Sequence, residues 1–117
     1  MSEPTPAPSL PELLDLHGQV ALVTGAGQGV GATTAQYLAA QGAAVAVNDY
    51  RAERAETVAE AIRTAGGTAF GVQADVTDYA AVQAMAGRVA DQFGPITIAV
   101  NNAGNAGANP AAVDSKP

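Results

Sequence analysis

Four short apolar runs, each followed by a turn signal and separated by helix-length segments, predict an α/β fold with a parallel sheet covered on both faces. The runs are VALVT (20–24), AVAVN (44–48), AFGVQ (69–73) and ITIAV (96–100). They are continuous rather than alternating, as strands buried on both faces are. The segments between them carry apolar residues at three- and four-residue spacing, the signature of amphipathic helices. Each is long enough for a right-handed crossover, so the expected order is β-α-β-α-β-α-β with strand order 3-2-1-4.

The first helix is expected over about 30–41, rich in alanine, with Gly42 at its end. A second is expected over 52–65. Its inner face is Ala55, Val58, Ala59 and Ile62, its outer face Glu53, Glu56, Glu60 and Arg63, and Gly66-Gly67 ends it. Thr77 or Asp78 can cap a third helix running to Phe93, with Val82, Met85, Val89 and Phe93 as its buried stripe. Gly94-Pro95 stops it. Residues 1–11 hold four prolines, so 1–12 are expected as a disordered tail and 13–117 as the folded unit.

Composition narrows the function classes. The 117 residues carry a net charge of −6, and the basic residues Arg51, Arg54, Arg63, Arg88 and Lys116 are scattered, which argues against a nucleic-acid groove. There is no cysteine and His17 is the only histidine, so thiolate chemistry and a histidine-rich metal site are excluded. No apolar run approaches the roughly 18 residues of a membrane span. The first residues lack the basic and apolar parts of a signal peptide, and a cytoplasmic protein is expected.

The chemistry-bearing segment is Thr24-Gly25-Ala26-Gly27-Gln28-Gly29-Val30-Gly31, between the first strand and the first helix. Glycine serves three needs there: a sharp turn, close approach of backbone to a pyrophosphate, and close helix packing. Free N–H groups and the positive end of the helix dipole favour phosphate. Gly27-x-Gly29-x-x-Ala32 fits the general dinucleotide fingerprint, and Thr24-Gly25-x-x-x-Gly29-x-Gly31 fits a TGxxxGxG pattern that begins at the strand end. The second is the preferred register. No GxxxxGK[ST] loop is present. The expected fold is therefore a Rossmann-like, doubly wound dinucleotide-binding sheet.

Asp49 follows the second strand, 24 residues after Gly25. A carboxylate there accepts hydrogen bonds from adenosine ribose hydroxyls and repels a 2′-phosphate, which favours NAD over NADP; Arg51 is the counter-signal. Asp75 and Val76 follow the third strand, where an acid can meet the adenine amino group and Val76 the ring, although a turn or cap role also accounts for Asp75. Asn101-Asn102-Ala103-Gly104 closes the fourth strand, where small residues let backbone approach a nicotinamide ribose; a plain polar turn reads equally from these residue types.

TGAGQGVG, the acid of VNDY, ADVTD and VNNAG, in that order and spacing, resemble the N-terminal half of the short-chain dehydrogenase/reductase family over about residues 17–107. The resemblance implies a nicotinamide-dependent oxidoreductase, homo-oligomeric when complete. It implies that Gly25, Gly27, Gln28, Gly29, Val30 and Gly31 surround the pyrophosphate. It also puts Asp49 at the adenine-side ribose and Asp75 and Val76 at the adenine. Asn102, Ala103 and Gly104 fall near the nicotinamide-side ribose, and Asn101 is structural.

The family places a Ser and a Tyr-x-x-x-Lys beyond the fourth strand, the Tyr as proton donor or acceptor beside a fixed cation. Tyr37, Tyr50 and Tyr79 have no Lys four residues later, and the only Lys is Lys116. Residues 105–117 resemble the loop that leads into the family's substrate region, so a truncated, partial domain is expected, with an apolar fourth strand at its edge and marginal stability. Two functions follow: the cofactor-binding portion of a dehydrogenase, inactive by itself, or a non-catalytic nucleotide-binding module.

Overall fold

The computed structural model describes residues 7–102. Its elements are α1 (Leu10–Leu13), β1 (Val20–Thr24), α2 (Gly29–Ala40), β2 (Ala44–Asp49), α3 (Ala52–Thr64), β3 (Thr68–Gln73), α4 (Tyr79–Phe93) and β4 (Ile98–Asn101). The four strands form one parallel sheet in the order β3-β2-β1-β4.

Strand periodicity divides the core in two. Ala21, Val23, Val45, Val47 and Ala69 face α2 and α3, whereas Val20, Leu22, Ala46, Val72 and Ala74 face α4. β1 and β2 lie inside the sheet and are buried on both faces, which explains their uninterrupted apolar character. β4 is an edge strand and alternates half-buried and exposed.

α2 buries Gly31, Ala35 and Ala39, one small residue per turn, so its axis can lie close to the sheet. α3 buries Ala55, Val58, Ala59 and Ile62, the face read from the sequence. It also presses on β3: a Cβ at Gly71 would sit 2.9 Å from the Ala55 carbonyl carbon. Fully burying a side chain such as Val58 or Ile62 stabilises by about 1.5–3 kcal/mol, so this face fixes the helix far more firmly than its exposed glutamates do. On the other layer α4 buries Met85 and Val89, and Phe93 meets Phe70 edge-on at 5.1 Å between ring centres. Asp78 caps α4 by accepting from the Ala81 N–H at 3.2 Å.

Two boundaries differ from expectation by more than one residue. The fourth strand begins at Ile98 rather than Ile96, because the Thr97 hydroxyl takes the Val20 N–H (2.9 Å) where a strand carbonyl would stand. Ile96 instead packs with the α4 layer. Within the segment read as a disordered tail, residues 10–12 belong to α1. Ser9 and Glu12 form a capping box there, and Pro11 sits in the first turn, where a missing N–H costs nothing. No α1 residue is buried.

Candidate functional site

The carboxyl ends of the four strands converge, and their loops are tied together by side chains. Gly25 (φ 62°) and Gly29 (φ 61°) take the left-handed conformation that turns β1 into α2. The turn is then pinned to β2. The Ala26 N–H donates to the Asn48 carbonyl (2.7 Å), and the Gly25 N–H to Asn48 Oδ1 (3.4 Å). The Gly27 N–H donates to Asp49 Oδ2 (3.0 Å).

Gln28 is the N-cap of α2 in extended conformation, and its side chain makes no capping bond. The helix ladder begins with the Ala32 N–H on the Gln28 carbonyl (3.2 Å). The first turn of a helix points unsatisfied N–H groups along its axis, and its dipole adds partial positive charge. Gln28, Gly29 and Val30 are exposed at this point, Val30 to 74%.

Gly27 and Gly31 are glycine because there is no room for anything else. A Cβ on Gly31 would overlap the Gly25 carbonyl oxygen and lie 2.7 Å from Asn102 Nδ2. A Cβ on Gly27 would lie 2.5 Å from Asp49 Oδ2 and 2.6 Å from the Arg54 Cβ. The turn is therefore wedged between the β2 acid, α3 and the end of β4.

Asp49 is buried, 7% exposed, with Oδ1 accepting from the Arg51 N–H (2.9 Å) and Oδ2 from Gly27. These two backbone donors set the orientation of its carboxylate. The Arg51 guanidinium lies 4.0 Å from the Glu53 carboxylate. Asp75 is half-buried beyond β3, and its Oδ1 accepts from the Thr77 hydroxyl (2.6 Å) and the Thr77 N–H (2.9 Å). Those bonds, the hydroxyl first, hold its carboxyl below the ordinary value. Val76 is half-buried beside it. A cavity of about 310 Å³ opens next to Asp75, lined also by Val72, Ala74, Asp78, Met85 and Arg88.

Asn102 closes the arrangement from β4. Its N–H donates to the Thr24 hydroxyl (3.0 Å) and its side-chain amide to the Gly25 carbonyl (3.1 Å). The Thr24 hydroxyl donates to Asn101 Oδ1 (3.1 Å). Asp49 and Asn102 are thus each bonded directly to the glycine turn. Asp75 joins them through its neighbour Ala74, whose N–H reaches the Asp49 carbonyl (3.3 Å). Ala103 and Gly104 lie outside the described residues.

Sequence reasoning passed over Asn48 as a site residue, and it placed Thr24 at the head of the glycine turn without giving its hydroxyl a partner. Asn48 is wholly buried and donates to the carbonyls of Val72 (3.1 Å) and Ala74 (3.3 Å). Its one sequence signal is a polar residue closing an otherwise apolar run. Among the described residues, no group of three or more His, Cys, Asp or Glu could hold a metal, and no helix is long and apolar enough to cross a membrane.

The short chain dehydrogenase family profile matches residues 19–116. The chain belongs to this family. It is 50% identical over 86 residues to cis-4-hydroxycyclohexanecarboxylate dehydrogenase of Sinomonas cyclohexanicum, covering 74% of this chain and 34% of that protein. It is 39% identical over 97 residues to 7alpha-hydroxysteroid dehydrogenase of Escherichia coli K12, covering 83% of this chain and 38% of that protein. Among solved structures, 7 alpha-hydroxysteroid dehydrogenase complexed with NADH and 7-oxo glycochenodeoxycholic acid superposes with a TM-score of 0.77 at 39% identity, covering 79% of this chain and 36% of that one. The chain thus spans 34% and 38% of these two curated relatives.

Proposed function

We propose that the carboxyl end of this sheet binds a nicotinamide dinucleotide, NAD in preference to NADP. In the whole protein it would serve hydride transfer between that cofactor and an alcohol or carbonyl. The single observation that carries the cofactor preference is Asp49, whose buried carboxylate is set by the Gly27 and Arg51 N–H groups directly beside the glycine turn. A ribose bearing two free hydroxyls can donate to such a carboxylate, and a 2′-phosphate would be repelled by it. The close fit at Gly27 and Gly31 holds the turn against Asp49, α3 and Asn102, and the start of α2 supplies donors for a pyrophosphate. Gly25, Gly27, Gln28, Gly29, Val30 and Gly31 surround the pyrophosphate in this reading. Asp75 and Val76 meet the adenine, and Asn102, Ala103 and Gly104 lie by the second ribose. The bound cofactor supplies the hydride chemistry, and these residues supply grip and orientation.

Titration calorimetry of the 117-residue chain with NAD and NADP tests this. NAD is expected to bind at least about tenfold tighter than NADP, and Asp49→Ala is expected to remove most of that preference. Equal or tighter binding of NADP would transfer the role to Arg51.

A second reading, binding without turnover by these residues alone, is favoured by the absence of any Tyr-x-x-x-Lys from the 117 residues. With NAD and a panel of secondary alcohols, the 117-residue chain is expected to form no reduced nicotinamide. Cytoplasmic location and homo-oligomeric assembly of the whole protein complete the proposal.

A further inference from the structure

Asn48 is the only wholly buried polar side chain among the described residues, and every hydrogen-bonding atom of its side chain is directed at a loop of the candidate site or the strand leading to it. Its amide nitrogen donates to the carbonyls of Val72 (3.1 Å) and Ala74 (3.3 Å), at the end of β3 just before Asp75. Two carbonyl acceptors on that side require the NH₂ group there, which leaves Oδ1 to face the Gly25 N–H at 3.4 Å. Its own carbonyl takes the Ala26 N–H at 2.7 Å. One residue of β2 therefore bonds the first two residues of the glycine turn on one side and the strand end leading to the adenine-side acid on the other.

Strand pairing alone does not require this. The ladder between β2 and β3 already sets Asn48 against Val72 and Asp49 against Gln73, and an apolar residue would continue AVAV in the same register. An apolar replacement would strand the polar groups that Asn48 satisfies, two carbonyls and one N–H, in a buried environment. We infer that Asn48 is a positioning residue that sets the spacing between the phosphate-binding turn and the adenine-side end of β3, and so tunes affinity for ligands that span both. The inference rests on the cofactor reading given above.

A ligand spanning both loops should sense the loss of this tie, whereas one confined to the adenine side should not. The test uses the 117-residue chain and its Asn48→Ser variant, which retains one donor. Binding of NAD and of adenosine is measured at a temperature where circular dichroism shows both proteins fully folded. The variant is expected to bind NAD about tenfold more weakly and adenosine within about twofold of the parent chain. A purely structural Asn48 would lower the melting temperature and leave both affinities of the folded protein unchanged, and that result overturns the inference.

If Asn48→Ser does not fold, NMR of the parent chain decides. The Asn48 side-chain amide protons are expected to shift on NAD saturation and to exchange slowly with solvent, and a fast-exchanging or unresponsive amide overturns the assignment. Absence of NAD binding by the parent chain overturns the cofactor reading and this inference together. Normal NAD binding with an unaffected variant overturns only the inference.

Discussion

The two ends of the sheet are fastened by different means. At the amino ends of the strands, helices stop through their own backbone: the Gly42 N–H reaches the Ala39 carbonyl (3.0 Å), Gly66 that of Arg63 (2.9 Å) and Gly94 that of Ala90 (2.8 Å). At the carboxyl ends, Asn48, Asp49, Thr24 and Asn102 bond the turn of a neighbouring strand. Gly66 and Gly31 are glycine for different reasons. Gly66 has φ of 96° and nothing within 4 Å of a built Cβ, so it is glycine for its conformation. Gly31 has no left-handed φ and is hemmed in by the Gly25 carbonyl and Asn102, so it is glycine for its size. The amino end reverses the chain mainly through backbone, with the Thr97 hydroxyl on Val20 and the Arg63 guanidinium on the Ala69 carbonyl as side-chain bonds there. The other commits polar side chains to a fixed shape, which a fold has little reason to do unless something must fit there.

Substitutions at the two ends should therefore behave differently. The largest effect is expected from Gly31→Ala. Its methyl group collides with backbone that cannot swing aside, costing about 3 kcal/mol in urea denaturation and abolishing NAD binding. Gly66→Ala should cost only the strain of the left-handed conformation, about 1–2 kcal/mol, and leave the NAD affinity of the folded protein intact. If Gly66→Ala impaired binding as much as Gly31→Ala, the contrast between the two ends would fail.

The smallest effect concerns Asp75. Its carboxyl is held below the ordinary value by the Thr77 hydroxyl and N–H, so the folded form releases its proton more readily than the unfolded form. The resulting stability is complete at neutral pH and is lost as the pH falls through the folded-state value, below about 4. Thr77→Val removes the hydroxyl bond. The Asp75 titration, followed by carboxyl carbon NMR, should then move up towards the ordinary value without change in fold.

Most of the architecture was legible in the sequence. The strands follow from local apolar runs, and the buried face of α3 follows from three- and four-residue spacing. α4 was legible only in part: Met85 and Val89 are buried, while Val82 and Phe93 are half-buried at the margins of a layer that α4 alone covers. The start of β4 was misplaced because the Thr97 hydroxyl replaces a ladder bond with Val20, 77 positions away. The same limit hid part of the site. The glycine turn announces itself by composition and Asp49 by its place after a strand. Asn48 and Thr24 act through partners 23 to 78 positions distant, which no local pattern encodes. Gly71 likewise reads as an ordinary strand residue until α3 is seen lying against it.

Under the proposed function the carboxyl end of the sheet, and not its amino end, receives the dinucleotide. Amide chemical-shift mapping of the uniformly ¹⁵N-labelled chain during NAD titration tests it most directly. Saturable shifts are expected at Gly25, Gly27, Gly29, Gly31, Asp49 and Asp75, with Gly42, Gly66 and Gly94 unmoved. Shifts centred on Gly42, Gly66 and Gly94, with a silent glycine turn, would contradict it.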